Sequence, residues 1–250
     1  MKRQAIRIAA AGDVHANTER RERVLAAFSE LDAQADLVLL AGDLTTYGEP
    51  EEAAVLAEAC SSLAVPVIAV LGNHDWHANR CDEVASVLAA AGIEVLQRGW
   101  TVREVNDTKV GVVGTKGFVG GFPDAALPDF GEPLLRRVYA ETSAEVAALE
   151  EGLEAIADCP LRIVLLHYSP TATTLEGEPR GIFAFLGSDR LARPIAEHTP
   201  DLVLHGHGHA GRFEGFIGRV PVYNVSVPVM GKDFTVFELD GAKGGRDGDL

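Results

Sequence analysis

Cysteine is scarce in this chain of 250 residues, which contains only Cys60, Cys81 and Cys159. The number is odd, the three positions are far apart, and no two of them form a Cys-x-x-Cys pair. This distribution argues against a disulfide framework and against a structural zinc site built on thiolates. We therefore expect free thiols that pack as small apolar side chains.

Long apolar runs are also missing. No stretch reaches the roughly 20 consecutive hydrophobic residues that a membrane-spanning helix needs. The apolar segment 5–11 is too short for the core of a signal peptide and continues directly into Gly12 and Asp13. We interpret this segment as a buried strand and expect a cytoplasmic protein that does not bind a membrane.

Positive charge is in short supply, with 22 Lys and Arg against 37 Asp and Glu and a formal net charge of −15. A protein that binds long nucleic acid needs a basic surface that displaces counterions from phosphates, so we do not expect such a partner. A small phosphate ester is not excluded, because bound metal cations can reverse the charge locally. The composition carries no indication of oligomeric state.

Short apolar runs and helix-like stretches alternate along the chain. Most runs are continuous, which is typical of strands in a sheet that helices cover on both faces. Six runs predict strands, at residues 6–11, 37–41, 65–71, 110–113, 163–166 and 202–204. Five stretches predict helices, at residues 19–31, 50–63, 82–91, 143–157 and 189–197. The alternation indicates the α/β class.

The pattern changes toward the C-terminus. Residues 220–225 and 234–239 are separated by turn residues and no helix, and they predict antiparallel strands. Residues 115–137 are rich in Gly and Pro and predict a long irregular loop. No repeat or linker divides residues 1–240, which we expect to form one domain, and the Gly- and Asp-rich residues 241–250 are expected to form a frayed tail.

Polar side chains follow five of the six predicted strands. In chain order they are Asp13 and His15, then Asp43, then Asn73, His74 and Asp75, then His167, and finally His205, His207 and His209. Ligands of open α/β sheets bind at the carboxyl ends of the strands. We therefore expect these loops, although distant in sequence, to meet at one edge of the sheet.

The chemistry of these residues indicates a metal site. Asp13 and His15, like His207 and His209, are two residues apart, so in an extended chain the members of each pair point to the same side. Imidazole, carboxylate and amide donors suit manganese, iron and zinc. The donors are more numerous than one tetrahedral ion would use, which predicts two divalent metal ions about 3.5–4 Å apart, an arrangement used for phosphoryl transfer.

The motifs resemble those of the calcineurin-like metallophosphoesterases. They occur in the family's order between residues 12 and 209, as Gly12-Asp13-Val14-His15, Gly42-Asp43, Gly72-Asn73-His74-Asp75, His167 and Gly206-His207-Gly208-His209. The small size and the sequence of residues 42–45 resemble the compact bacterial members. The resemblance implies a metallophosphoesterase-like four-layer α/β/β/α sandwich with mixed sheets.

The resemblance also implies a role for each motif residue. It assigns Asp13, His15 and His209 to a first metal ion, Asn73, His167 and His207 to a second, and Asp43 to both. A hydroxide between the metals would attack phosphorus. His74 would assist the leaving-group oxygen, and Asp75 would orient His74.

Taken singly, each of these residues could instead serve a structural role. Asp13 could cap a following helix, and His167 could be a structural histidine at a strand end. Such roles do not account for polar groups after nearly every predicted strand, so we prefer the joint site. We interpret His205 as a strand-end histidine and Asn17 as a helix cap.

Further residues near the motifs are left with two interpretations. Tyr168 could contact substrate or pack in the core. Trp76 and His77 could wall the site, although a surface position is the simpler interpretation. Arg180 and Lys116, in Gly-rich loops, are candidate phosphate contacts.

The predicted function is metal-dependent hydrolysis of a small phosphomonoester or phosphodiester. A nuclease of the same family is the first alternative, and the acidic composition argues against it. A metal-binding scaffold without catalysis is the second, and it would be expected to have lost ligands or His74. Thr45, Thr46 and Tyr47 stand where many relatives carry a further acidic residue or asparagine, which leaves the subfamily open.

Overall fold

The structure is a computed structural model that describes residues 5–123 and 125–240. The predicted frayed tail, residues 241–250, lies outside the described residues. Eleven strands are found within the described ranges: β1 (Ile6–Ala11), β2 (Leu37–Ala41), β3 (Val67–Val70), β4 (Ile93–Leu96), β5 (Gly99–Val105), β6 (Thr108–Gly114), β7 (Leu161–Leu165), β8 (Leu202–His205), β9 (Glu214–Ile217), β10 (Val220–Asn224) and β11 (Thr235–Leu239).

These strands form two mixed sheets. The first has the order β11-β1-β2-β3-β4, in which β1 to β4 are parallel and β11 is antiparallel to β1. The second has the order β5-β6-β7-β8-β10-β9, with parallel pairs in the centre and an antiparallel strand at each edge. The central parallel strands of both sheets therefore bring their carboxyl ends together within each sheet.

Helices in the described residues connect the strands. They are α1 (Arg21–Phe28), α2 (Leu31–Gln34), α3 (Pro50–Cys60), α4 (Cys81–Ala90), α5 (Pro133–Ala155), α6 (Phe183–Leu186), α7 (Ala192–His198) and α8 (Val227–Met230). Short 3-10 helices lie at Thr18–Arg20, His74–Trp76, Ala172–Leu175, Arg180–Ile182 and Asp189–Leu191. Among the helices of residues 5–123 and 125–240, none is long and apolar enough to cross a bilayer.

The layering follows from the alternation of side chains along each strand. In β1, Ala9 and Ala11 pack beneath α1 and α3, whereas Ile6, Ile8 and Ala10 enter the core between the two sheets. In the second sheet, side chains on the opposite face pack beneath α5 and α7. The resulting α/β/β/α order with two mixed sheets confirms the predicted fold class.

Several elements differ from the prediction. The strands β4, β5 and β9 were not expected, because they are short or half exposed; Trp100 and Val102 of β5 are 43% and 41% exposed. The predicted antiparallel strands near residues 220–225 and 234–239 exist, but they belong to different sheets. Strand β10 pairs with β8 and β9, whereas β11 pairs with β1. The helix α8 lies between them, so the expectation of turn residues alone was wrong.

Helix α5 begins at Pro133, well before the predicted start at residue 143, and its first turns belong to the predicted irregular loop 115–137. Proline is favoured at the first helical position, because its missing N–H would be unpaired there in any case. The first turns are exposed and carry no core-facing side chains. Apolar periodicity therefore could not reveal them.

The three cysteines are free, as predicted. Cys60 and Cys81 are buried, and Cys159 is half-buried. Burial raises the pKa of the Cys60 thiol to about 12, so this thiol stays protonated and unreactive at neutral pH.

Glu145 of α5 anchors the segment that follows β6. Its buried carboxylate accepts hydrogen bonds from the Thr115 hydroxyl, from the Gly117 N–H at 2.9 Å and from Arg98 Nε at 2.9 Å. Replacement by alanine would leave these donors without their partner. We expect Glu145→Ala to lower the free energy of unfolding by about 3 kcal/mol in urea denaturation.

Glu151, an exposed residue of the same helix, provides the matched control for this prediction. Glu151→Ala is expected to change the free energy of unfolding by less than about 0.5 kcal/mol. Equal effects of the two substitutions would contradict an anchoring role for Glu145.

Candidate metal centre

The loops after β1, β2, β7 and β8 are joined to one another by main-chain and side-chain hydrogen bonds. The His15 N–H donates to the Asp43 carbonyl at 3.0 Å, which connects the first two loops. The Gly206 N–H donates to the His167 carbonyl at 3.1 Å, which connects the last two. The His167 ring spans the two sheets, with Nδ1 3.0 Å from the Ala41 carbonyl. The carboxyl ends of both sheets therefore form one edge. The loops meet as the sequence predicts, but the edge belongs to two sheets and not to one.

Four of the predicted ligands have a left-handed backbone. The φ angles are 59° at Asp13, 47° at His15, 49° at Asp43 and 69° at His207. Residues with a Cβ atom rarely adopt this conformation, and each instance costs on the order of 1–3 kcal/mol when the surroundings impose it. Such strain collects at functional sites, where it aims side chains in directions that an unstrained strand end does not allow.

Nine residues received a role at the centre from the motifs, and the structure brings seven of them into three overlapping clusters. These clusters are Asp13, His15 and His209; His15, Asp43 and His74; and Asp43, His167 and His207. Within each cluster, the candidate ligand atoms all lie within 4.8 Å of one another. Of the remaining two, Asn73 places Oδ1 2.8 Å from His167 Nε2. Consecutive clusters share a residue, so the donors form one continuous site.

The His167 imidazole is set up to receive a cation. Its Nδ1 faces the Ala41 carbonyl, which can only accept, so Nδ1 carries the proton and Nε2 holds a lone pair. That lone pair faces Asn73 Oδ1 at 2.8 Å and Asp43 Oδ1 at 3.3 Å. Burial lowers the pKa of His167, which favours this neutral form. His167 Nε2, Asn73 Oδ1 and Asp43 Oδ1 are three acceptor atoms that converge on one place with no donor hydrogen between them. Such an arrangement fits a metal ion.

Two carboxylates are buried at the centre, Asp13 at 3% exposure and Asp43 at 1%. Among the basic side chains of the described residues, only histidines place a nitrogen within 4.0 Å of either carboxylate, and no Lys or Arg does. Burial and the nearby Asp13 charge raise the pKa of Asp43. At Asp13, burial acts upward on the pKa, but the hydrogen bond from His209 and the neighbouring histidines lower it overall. Two buried anions without a fixed cationic side chain fit a site for divalent metal.

Two glycines are required by the close approach of the backbone to these carboxylates. A Cβ atom on Gly72 would collide with Asp43 Oδ1 and with the Asp43 nitrogen. A Cβ atom on Gly206 would collide with Asp13 Oδ2. Glycine is therefore the residue that lets the loops after β3 and β8 pass directly over the two carboxylates.

The sequence matches a family model described as Calcineurin-like phosphoesterase over residues 6–211, well over half of the chain and including every motif residue of the centre. The chain belongs to the calcineurin-like phosphoesterase family. The resemblance inferred from the motifs is thereby confirmed. No curated protein sequence matches the chain significantly.

Solved structures share the fold at low sequence identity. The phosphopantetheinyl hydrolase PptH of Mycobacterium tuberculosis is 16% identical with a TM-score of 0.67, and the match covers 91% of this chain and 92% of that one. TT1561 of Thermus thermophilus is 19% identical with a TM-score of 0.59, covering 94% and 99%. GAP50 of Plasmodium, described as the anchor in the inner membrane complex, is 13% identical with a TM-score of 0.59, covering 97% and 86%.

Within this phosphoesterase centre, His74 and Asp75 are arranged differently from the expectation. The predicted contact between the Asp75 carboxylate and the His74 ring is not found in the described residues. Instead, His74 Nδ1 donates to the Thr46 carbonyl at 2.7 Å, and Nε2 faces Asp43 Oδ2 at 3.9 Å. The fully buried Asp75 carboxylate accepts hydrogen bonds from the N–H groups of residues 44, 45 and 72 and from the Thr45 hydroxyl. Asp75 thus connects the loops after β2 and β3.

Sequence reasoning missed three residues that support the phosphoesterase motifs. Thr45 and Thr46 were noted only as departures from relatives, yet they bind Asp75 and His74. Asn224, at the end of β10, donates from Nδ2 to the Gly208 carbonyl at 2.7 Å and so supports the loop that carries His207 and His209. A polar residue near the end of the apolar run 220–225 was the available signal for Asn224.

Two aromatic contacts lie on the His207 side of the centre. Tyr168 is buried, and its ring centroid lies 4.5 Å from that of His207. Tyr168 therefore packs against a motif residue. Lys116 Nζ lies 4.2 Å from the Phe118 ring centroid and 5.2 Å from that of Tyr168. Burial lowers the pKa of Lys116, whose ammonium is held by aromatic faces.

The remaining candidates lie outside the clusters. His205 is buried, and its ring contacts Thr174 Oγ1 and the Gly206 carbonyl, both at 2.8 Å, which agrees with a structural role. Asn17 accepts from the Arg20 N–H at 2.9 Å and caps the first 3-10 helix, as expected. Arg180 lines a cavity to which no cluster residue contributes.

Proposed function

We propose that this member of the calcineurin-like phosphoesterase family hydrolyses a small phosphate ester with two divalent metal ions. The observation that supports this best is the placement of the two Asp43 oxygens. Oδ1 lies 3.3 Å from His167 Nε2, and Oδ2 lies 3.9 Å from His15 Nε2. One carboxylate thus faces histidines from two separate clusters, as a ligand shared by two ions does.

The proposed ligands divide between the two ions in the way that the motifs imply. Asp13, His15 and His209 would hold the first ion, Asn73, His167 and His207 the second, and Asp43 both. Burial lowers the pKa of His207 to about 4, so its ring is neutral at neutral pH, the form that binds metal. The mixed nitrogen and oxygen donors suit manganese, iron or zinc.

When bound, the two ions would supply an activated water and neutralise charge on the phosphoryl oxygens. The chain's own contribution to the leaving group is assigned to His74. Its Nδ1–H is fixed by the Thr46 carbonyl, so Nε2 faces the centre, and the side chain is 31% exposed. In the imidazolium form, which carries a proton on Nε2 as well as on Nδ1, His74 can donate the Nε2 proton to a departing alcohol oxygen or stabilise its charge.

We propose a small ester rather than a polymer as the substrate and no membrane partner. A net charge of −15 opposes the approach of long nucleic acid. Three free cysteines favour a cytoplasmic location, where thiols stay reduced. Cell fractionation with an antibody to the chain would check the location.

The test is a metal titration combined with a substrate panel. Manganese-loaded protein is offered a phosphomonoester, a bis-aryl diester, cyclic nucleotides, and single- and double-stranded DNA at low salt. We expect two manganese ions per chain and turnover of a small ester but not of DNA. Cleavage of DNA alone would favour a nuclease, and metal binding without any turnover would favour a scaffold.

A further inference from the structure

A cavity of about 360 Å³ opens beside the metal centre, and Asp13 and His15 form part of its wall. The rest of the wall comes from α1 and from the segment between β10 and β11, including Val24, Ala27 and Phe234. Its volume is that of a small-molecule site. The cavity thus begins at two proposed ligands of the first metal and extends away from them along α1.

We propose that this cavity is a subsite for the organic group of the ester. This organic group would be apolar along its length and would end in an anionic group. The proposal rests on the proposed function, because it places the phosphoryl group at the metal centre. It adds the chemical class of the rest of the substrate.

The floor of the cavity is apolar. Val24 and Phe28 are buried, and the Phe28 ring packs edge-on against Phe234 with centroids 4.9 Å apart. Fixed side chains of this kind form a preshaped surface that needs no rearrangement to receive an aliphatic or aromatic group. Pro228, in the first turn of α8, closes the same wall.

The rim of the cavity carries positive charge. Arg20 and Arg23 both line the cavity in a chain whose net charge is −15. Arg23 pairs with Asp233 at 2.8 Å, whereas Arg20 has no ion pair within 4.0 Å among residues 5–123 and 125–240. The Arg20 N–H is fixed by the Asn17 cap at 2.9 Å, which holds this residue at the rim. A guanidinium without a partner beside an apolar cavity suits a carboxylate or a second phosphate on the substrate.

The test measures the binding of three phosphonates to the manganese-loaded protein by calorimetry. Methylphosphonate reaches only the metals, hexylphosphonate also fills the cavity, and 6-phosphonohexanoate adds a terminal carboxylate. Each buried methylene can raise the binding affinity by up to about fourfold. We therefore expect hexylphosphonate to bind at least about tenfold more tightly than methylphosphonate. The terminal carboxylate is expected to make 6-phosphonohexanoate bind severalfold more tightly than hexylphosphonate, and Arg20→Gln is expected to remove this gain in affinity.

Two alanines of α1 provide a matched pair of variants. Ala27 lines the cavity, whereas its neighbour Ala26 is exposed and does not. Ala27→Trp is expected to abolish the advantage of hexylphosphonate over methylphosphonate, and Ala26→Trp is expected to keep it. Thermal unfolding of both variants checks that each is folded.

The inference is overturned if the wild-type protein binds methylphosphonate and hexylphosphonate equally, or binds neither, since this comparison needs no variant. Equal losses in Ala26→Trp and Ala27→Trp would overturn it as well. Chain-length dependence without turnover of any ester would contradict the proposed function alone. Turnover without chain-length dependence would contradict the subsite alone.

Discussion

Asp43→Asn is expected to lower kcat/KM of the manganese-loaded protein by about 10³-fold or more, since a catalytic metal contributes several kcal/mol of transition-state stabilisation. The two oxygens of Asp43 face histidines of both proposed metal sites, at 3.3 Å and 3.9 Å. An amide keeps one of these oxygens and replaces the other with an NH₂ group, which cannot bind a cation. The substitution also removes the negative charge that two adjacent cations require.

Metal content distinguishes this explanation from a general loss of structure. We expect metal analysis of Asp43→Asn to give about one tightly bound manganese ion in place of two. The metal-free variant is expected to unfold at the same temperature as the metal-free wild type or above it at neutral pH. Burial and the charge of Asp13 raise the pKa of Asp43, so its ionised form is costly without metal, and an uncharged amide removes that cost.

The opposite end of the same strand offers a matched control. Asp36 directly precedes β2, and its carboxylate pairs with Arg7 at 2.9 Å, far from the metal centre. Asp36→Asn is expected to cost some stability while keeping two metals and kcat/KM within about twofold, as for a residue outside the site. An Asp43→Asn variant that retains two manganese ions and wild-type kcat/KM would contradict the bridging role.

The strand ends were predictable from the sequence because two simple patterns coincide there. Largely apolar runs mark β1, β2, β7 and β8, with Arg7 and Arg162 as the charged exceptions, and a polar residue follows each run within a few positions. Parallel strands of one sheet end at a common edge, so the positions of Asp13 and Asp43 after the neighbouring strands β1 and β2 already implied their proximity. His167 follows β7 of the second sheet, and the strand pattern alone did not show that the edges of two sheets meet. The left-handed backbone at Asp13 and Asp43, which aims the carboxylates, carries no comparable signal, because Asp also occurs in ordinary turns and caps.

Contacts between loops could not be predicted in the same way. Nothing in the spacing of His74 and Asp75 shows that the carboxylate turns toward Thr45 and the Gly72 N–H while the ring turns toward Thr46. The choice depends on where the loop after β2 lies, which is a tertiary property. Strand β5 escaped prediction for a related reason, since its half-exposed edge position removes the need for a continuous apolar run.

His74→Ala is expected to lower kcat for an alkyl phosphate ester by about 10²–10⁴-fold while both metal ions remain bound, the range that a positioned general acid contributes. The ring is held through Nδ1 by Thr46, and its other nitrogen lies 3.9 Å from Asp43 Oδ2, at the edge of the metal cluster. Alanine removes this nitrogen without removing a proposed metal ligand. Metal analysis and kcat on the same preparation separate the two functions.

The leaving group determines how large the effect is. An alkoxide departs poorly unless it is protonated, whereas p-nitrophenolate departs readily without a proton. If His74 assists the leaving oxygen, His74→Ala should therefore affect a p-nitrophenyl ester much less than an alkyl ester. Equal losses with both esters would indicate that His74 acts elsewhere in the reaction, for example on a phosphoryl oxygen.

His77 provides the control for this last prediction. Its ring is 4.3 Å from that of His74, and it is exposed and belongs to none of the ligand clusters found in the described residues. We expect His77→Ala to leave kcat for both esters within about twofold, as for an exposed residue outside the site. A His77→Ala variant with the same leaving-group dependence as His74→Ala would show that the imidazole pair, and not His74 alone, serves the leaving group. Wild-type hydrolysis of the alkyl ester by His74→Ala with two bound metals would exclude His74 from the chemical step.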